Sequence, residues 1–78
     1  MRLTHDEEAD AAYIYLVDEI ARGEVAASRL ARIPLEGASL SVDFDAHGRL
    51  LGIEVLGASR VLRTETIQAA LDITRRHP

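Results

Sequence analysis

Apolar and polar residues alternate with a period of two between Leu40 and Leu56, which is the clearest pattern in the chain. Successive side chains of a strand point to opposite faces of a sheet, so the alternation predicts two strands, each with one apolar face. The predicted apolar face carries Leu40, Val42, Phe44, Leu51, Ile53 and Val55. The opposite face carries Ser41, Asp43, Asp45, Leu50, Gly52, Glu54 and Leu56.

The residues between the two strands, 45–48, are typical of a hairpin turn in which Gly48 supplies the left-handed conformation. A two-residue loop (46–47 or 47–48) or a four-residue loop (45–48) places Val42 opposite Leu51 or Ile53. Both apolar sets then lie on one face. A three-residue loop with a bulge would instead place Asp43 against the apolar row, so the hydrophobic pattern favours the first group of loops.

Residues 11–20 fit two structures. Apolar residues recur at helical spacing, and the neighbouring alanines favour a helix. However, residues 13–17 form a dense aromatic and β-branched run, which is typical of a strand buried on both faces. The residues alone leave both structures open.

The rest of the chain completes an α+β pattern. Residues 2–4 and 25–35 predict two further strands, and Pro34 indicates that the second lies at an edge or ends there, because proline lacks an N–H. Thr64 is a candidate N-cap for a helix over residues 64–75. We therefore expect one domain over residues 1–78, a small antiparallel sheet of four or five strands in a hairpin meander with one C-terminal α-helix. Its predicted core is Val42, Phe44, Leu51, Ile53, Val55, Ile67 and Leu71.

Composition narrows the class of protein. The 78 residues contain no cysteine and carry a formal net charge of −4, which argues against non-specific nucleic-acid binding. No apolar run approaches the roughly 20 residues of a membrane helix, and the first residues lack the apolar stretch of a signal peptide. We therefore expect a cytoplasmic protein without a membrane partner.

Three segments resemble the family of domain of unknown function 2283 (DUF2283). They are residues 6–14 (DEEADAAYI), residues 42–50 (VDFDAHGRL) and residues 52–59 (GIEVLGAS), and the resemblance covers about residues 3–60. The family often has Tyr-Asp-Pro where this chain has His5-Asp6-Glu7. The resemblance implies a small bacterial or archaeal protein built on an antiparallel sheet, with residues 11–20 as a strand, and it implies no established activity.

Candidate chemistry is sparse. Asp43, Asp45 and Glu54 lie on one predicted face, where three carboxylates would suit Mg²⁺ or Ca²⁺; a solvated outer face is the simpler interpretation. His5, His47 and His77 show no catalytic or metal-binding spacing. Four arginines are interpreted either as a basic patch or as ordinary edge and turn charges: Arg29, Arg32, Arg60 and Arg63. No catalytic or cofactor-binding residue and no cofactor are predicted.

These observations favour a non-enzymatic module that forms a homo-oligomer, most simply a dimer, or binds a small protein partner. An antitoxin-like protein is one version. The alternative is a divalent-cation-dependent enzyme or ligand-binding protein using the three carboxylates. A single-layer sheet with one helix covers only one of its faces, so we expect an interface on the other. Its predicted residues are Tyr13, Tyr15, Val17, Leu50 and Leu56.

Overall fold

The computed structural model describes residues 1–74, which form one sheet and two short helices. The strands are β1 (Arg2–Asp6), β2 (Ala11–Tyr15), β3 (Ala27–Ala31), β4 (Ser39–Phe44), β5 (Leu50–Leu56) and β6 (Leu71–Asp72). The helices are α1 (Ala58–Val61) and α2 (Thr64–Ala69). The α+β class and the C-terminal helix are therefore confirmed, but the sheet of the described residues has six strands rather than four or five.

The strand order is β3-β4-β5-β2-β1-β6, and every neighbouring pair is antiparallel except the parallel pair β1–β6. Residues 11–15 are a strand, as the family resemblance implies, and pair with β1 and β5. The β3 strand lies at one edge and ends before Pro34, as predicted.

The predicted helix over 64–75 is wrong in its length. Its N-cap is Arg63 rather than Thr64, and α2 ends at Ala69. No residue of α2 is fully buried, so few packing contacts stabilise a longer helix. The backbone instead adopts the β conformation at Ala70, and β6 then pairs with β1. Leu71 is consequently 61% exposed on β6, so its assignment to the core was also wrong. Arg75 lies outside the described residues.

The core lies between the sheet and α1. Ala12, Val55 and Ala58 form its fully buried cluster, and partly buried apolar residues pack against it: Leu3, Ile14, Leu40, Ile53, Val61 and Leu62. We call this side of the sheet the helix face. Of the predicted core, Leu51 and Val55 are fully buried, while Val42, Phe44, Ile53 and Ile67 are only partly buried. Two of the three residues in the buried cluster are therefore alanines, whereas the sequence predicted a core of larger side chains.

The β4–β5 hairpin has the predicted register, but the prediction of a two- or four-residue loop is wrong. The N–H of Asp45 donates to the carbonyl of Arg49, which leaves a three-residue loop in which Gly48 has a φ of 77°. A bulge then follows, because Phe44 pairs with Leu50 while Asp43 pairs with Gly52. The additional residue in β5 corrects the odd loop, so Val42 lies opposite Ile53 and the apolar sets meet.

The described part of the chain is open rather than compact. Its Cα radius of gyration is 12.9 Å, against about 11.5 Å for a typical domain of this length. No helix among residues 1–74 is long and apolar enough to cross a membrane.

Candidate functional site

The face of the sheet opposite α1, which we call the open face, brings together side chains from all six strands of the described residues. Strand pairing aligns one row of residues across all six strands: Leu30, Ser41, Glu54, Tyr13, Thr4 and Leu71. Leu56 and Tyr15 lie on the same face in the flanking rows. Leu30, Leu56 and Leu71 are 79%, 44% and 61% exposed, although they stand on a sheet that packs helices on its other side. The open face is thus partly apolar, and it is exposed at these leucines but not at Thr4, which is only 5% exposed.

A polar chain crosses the open face through Tyr13. Its hydroxyl donates to Asp43 Oδ2 at 2.7 Å, and the hydroxyl of Ser28 donates to Asp43 Oδ1 at 2.6 Å. Tyr13 belongs to β2 and Asp43 to β4, so the ring must lie across β5 between them. The ring crosses β5 at Gly52, which has no side chain to obstruct it. A Cβ added at this position would lie only 2.6 Å from the Tyr13 hydroxyl. Two side-chain hydrogen bonds therefore join three strands, β2, β3 and β4, across β5.

The ionisation of Tyr13 is strongly disfavoured. Burial of the ring, followed by the hydrogen bond to Asp43, raises the pKa of Tyr13 well above its ordinary value. The phenol therefore stays protonated and remains a donor to the carboxylate throughout the physiological pH range.

Tyr15 forms an aromatic and cationic cluster beside this chain. Its ring centroid is 4.8 Å from that of Tyr13, with the rings inclined at 59°. The guanidinium carbon of Arg2 lies 3.9 Å from the centroid of the Tyr15 ring, which is cation–π geometry. Arg2 also donates to the carbonyl of Asp18 at 2.7 Å. These contacts fix the position of the Tyr15 side chain on the open face.

The predicted interface residues are only partly brought together. Tyr13, Tyr15 and Leu56 lie on the open face, while Val17 follows the end of β2. Leu50 is 48% exposed, but the bulge pairs it with Phe44 and so places it toward the helix face. The sequence pattern assigned Leu50 to the open face because it could not reveal this bulge.

The three predicted metal ligands have separate surroundings. Both oxygens of Asp43 accept the hydrogen bonds described above, and Asp45 Oδ1 accepts the N–H groups of His47 and Arg49 at 2.9 Å each. The backbone bond from Arg49 is the largest cause of the lowered pKa of Asp45. Glu54 is exposed. Among residues 1–74 no three His, Cys, Asp or Glu side chains are grouped as a metal site, so cation binding stays a prediction that this geometry does not strengthen.

A second cluster joins the β1–β2 turn to α1 through Asp10. The carbonyl of Asp10 accepts the N–H of Ala58 at 2.9 Å, and its carboxylate accepts the N–H and hydroxyl of Ser59 at 3.0 and 2.6 Å. The Ser59 hydroxyl is the largest cause of the lowered pKa of Asp10. His5 Nε2 lies 3.5 Å from Asp10 Oδ1, without hydrogen-bond geometry. Since Asp10 lies between the serine and the histidine, this arrangement positions α1 and does not activate Ser59 as a nucleophile.

The sequence analysis missed the roles of Gly52, Leu30 and Leu71 on the open face. A glycine inside a strand pattern often marks a close approach of another group, and that signal pointed to Gly52. Leu71 could not be found, because it was assigned to a helix.

The family model described as "Protein of unknown function (DUF2283)" matches residues 2–59, about three quarters of the chain. The matched region contains β1 to β5 and the beginning of α1, and so includes most of the open face. No significant match was found among curated proteins or among solved structures.

Proposed function

The chain belongs to the DUF2283 family, and we propose that it is a non-enzymatic interaction module that dimerises through the open face. The observation that carries this proposal is the excess of exposed surface. The chain exposes 5980 Å², whereas a compact monomer of 8.6 kDa exposes about 4,700 Å². The excess of about 1,300 Å² exceeds the roughly 800 Å² that each partner contributes to a standard interface.

The chemistry of the open face suits a second copy of the chain. Tyrosines provide large contact areas with polar groups that tolerate a wet rim, and they are enriched in protein interfaces. Tyr13 and Tyr15 lie near the middle of the sheet, with Leu56 adjacent, and Leu30 and Leu71 at its two edges. A twofold arrangement covers the open face of both copies with the same residues.

The size of the internal core supports the same proposal. Only four apolar residues among the described ones are fully buried, and two of these are alanines: Ala12, Leu51, Val55 and Ala58. So small a core gives little stability, and the chain has no cysteine with which to form a disulfide. Dimerisation supplies apolar burial that the single chain lacks.

The test is molar mass in solution by light scattering at low micromolar concentration. We expect twice 8.6 kDa for the parent chain and the monomer mass for Tyr15→Asp and Leu56→Asp. Two controls retain the dimer: Tyr15→Phe keeps the ring, and Gln68→Asp adds the same charge on the exposed surface of α2. A parent chain that remains a folded 8.6 kDa monomer contradicts the proposal.

An antitoxin-like role is a narrower form of this proposal. It requires a toxin encoded beside this chain whose activity the chain suppresses. Purified toxin with and without the chain, and with Tyr15→Asp, provides the measurement.

A further inference from the structure

We propose that the outer edge of β3 accepts an extended, acidic peptide of another protein as an additional strand. This inference concerns the edge of the sheet and does not require dimerisation through the open face, although Leu30 belongs to both surfaces. It rests on the backbone groups of β3, on the charge of the segment around it and on the penalty for pairing β3 with itself.

The backbone groups at the edge follow from the β3–β4 pairing. The carbonyl of Phe44 accepts the N–H of Ala26 at 2.8 Å, so the backbone groups of Phe44 point toward β3. Because the direction of the backbone groups alternates along a strand, residues 40, 42 and 44 of β4 all point theirs toward β3. Their partners on β3 are residues 31, 29 and 27, whose N–H and C=O groups therefore point toward β4. Ser28 and Leu30 therefore present their N–H and C=O groups outward, and no described strand lies on that side.

The segment 25–35 differs in charge from the rest of the chain. It contains Arg29 and Arg32 and no acidic residue, although the whole chain has 13 acidic residues and a net charge of −4. Arg29 and Arg32 are both exposed. The Arg29 guanidinium lies against the outer edge, since its Nη1 donates to the carbonyl of Ser28 at 3.0 Å. A positive edge favours an acidic partner strand and repels the β3 edge of a second copy, which carries the same two arginines.

The same segment also exposes apolar side chains. Three of the eight exposed large hydrophobic residues among residues 1–74 lie within it: Val25 at 38%, Leu30 at 79% and Leu35 at 45%. Strand addition uses main-chain hydrogen bonds for affinity and alternate side chains for specificity. Leu30 provides the apolar contact on one face of an added strand, and Arg29 provides the charged contact on the other.

A second copy of β3 fits this edge poorly. The antiparallel twofold register that pairs Ser28 with Leu30 of the partner uses all the outward groups, and it places two Arg29 side chains directly opposite each other. Like charges in that position destabilise a strand pair. Pro34 further limits the length over which the edge can pair. A glutamate or aspartate opposite Arg29 turns the same position into an attractive contact.

The experiment uses the full chain and a capped peptide of alternating valine and threonine that contains two glutamates. The glutamates are spaced as Arg29 and Arg32 are, and the matched peptide has lysines at both positions. Amide exchange and chemical shifts are followed by NMR during titration to roughly millimolar peptide. We expect the glutamate peptide to bind at least about tenfold more tightly than the lysine peptide. We also expect it to protect the amides of Ser28 and Leu30, with Ala27 and Arg29 already protected.

Two sets of variants make the test specific. Leu30→Pro and Leu30→Ala both lose the leucine side chain, but only the proline removes an outward N–H, so only Leu30→Pro should lose binding completely. The double variant Arg29→Glu with Arg32→Glu should prefer the lysine peptide. Repeating the titration with Tyr15→Asp separates this edge from the open face. This variant should not dimerise, but it should bind the glutamate peptide as tightly as the parent chain does.

The proposal is overturned if neither peptide binds, if both bind equally, or if Leu30→Pro and Leu30→Ala behave alike. It is also overturned if the amides of Ser28 and Leu30 become protected with rising protein concentration in the absence of peptide. That last result assigns the edge to a second copy of the chain.

Discussion

At the scale of single residues, Tyr13 connects β2 to β4, because its hydroxyl donates to Asp43 across β5. Replacing it by phenylalanine removes a hydrogen bond to a carboxylate while keeping the ring. We expect Tyr13→Phe to lower the free energy of unfolding by about 1–2 kcal/mol in denaturant titrations. Tyr15→Phe, whose ring contacts Arg2 and Tyr13, is the matched control and should change stability by less than about 0.5 kcal/mol. Equal effects of the two variants would disprove this role of the Tyr13 hydroxyl.

Gly52 is the second residue on which the crossing depends. A Cβ at this position would lie 2.6 Å from the Tyr13 hydroxyl and 2.7 Å from the carbonyl oxygen of Ile14, and the carbonyl cannot move without disturbing β2. We expect Gly52→Ala to destabilise the fold by about 1–3 kcal/mol. In a Tyr13→Ala background the loss should be smaller, because the ring is gone while the carbonyl contact remains. A double-mutant cycle measures this difference, and strict additivity would show that ring and glycine are not coupled.

At the scale of elements, the first turn of α1 is held by the β1–β2 turn through Asp10 and Ser59. The pKa of Asp10 is lowered in the folded chain, chiefly by the Ser59 hydroxyl, so folding favours the carboxylate. Its contribution to stability is present above the unfolded pKa of about 3.9 and is lost as the pH falls through the lower folded value.

Removing the Ser59 hydroxyl tests this element-level contact. Because Asp10 is partly exposed, we expect Ser59→Ala to cost only about 0.5–1 kcal/mol at neutral pH. The cost should begin to shrink as the pH falls below about 4, where Asp10 of the unfolded chain binds a proton, and it should be lost once the folded carboxyl is protonated at still lower pH. Denaturant titrations at several pH values measure it, with Ser39→Ala on β4 as the control. A cost that does not depend on pH would mean that Ser59 acts through packing alone.

At the scale of the whole molecule, folding and dimerisation are coupled if the open face is covered only in the dimer. The midpoint of thermal unfolding should then rise with protein concentration, because a second copy binds the native state and not the unfolded one. Tyr15→Asp should remove this dependence and lower the midpoint to a constant value. A parent midpoint that is constant over a hundredfold range of concentration would contradict the coupling. Calorimetry or circular dichroism provides the measurement.

The alternation of residues 40–56 by itself determined two strands and the facing of Val42 against Ile53, since a period of two leaves only one way to bury the apolar set. The same local logic located Gly48 in a left-handed turn and the edge position of β3 next to Pro34. The resemblance added strand structure over residues 11–15, which periodicity alone had left open. All of these depend on interactions between residues that are close in the chain or on steric limits of a single residue.

Tertiary structure decided the rest. Whether residues beyond Ala69 continue a helix or become β6 depends on the free edge of β1. The paired residues Thr4 and Leu71 are 67 residues apart in the chain. The bulge that moves Leu50 away from the open face repairs an odd loop, and only the paired strands reveal it. The hydrogen bonds of Asp43 to Tyr13 and Ser28 join three different strands, so no local pattern indicates that this carboxylate is occupied. Interactions between distant segments leave no periodic signal along the chain. The sequence therefore predicted that one face of the sheet is uncovered, but not the full set of residues that lie on it or the hydrogen bonds between them.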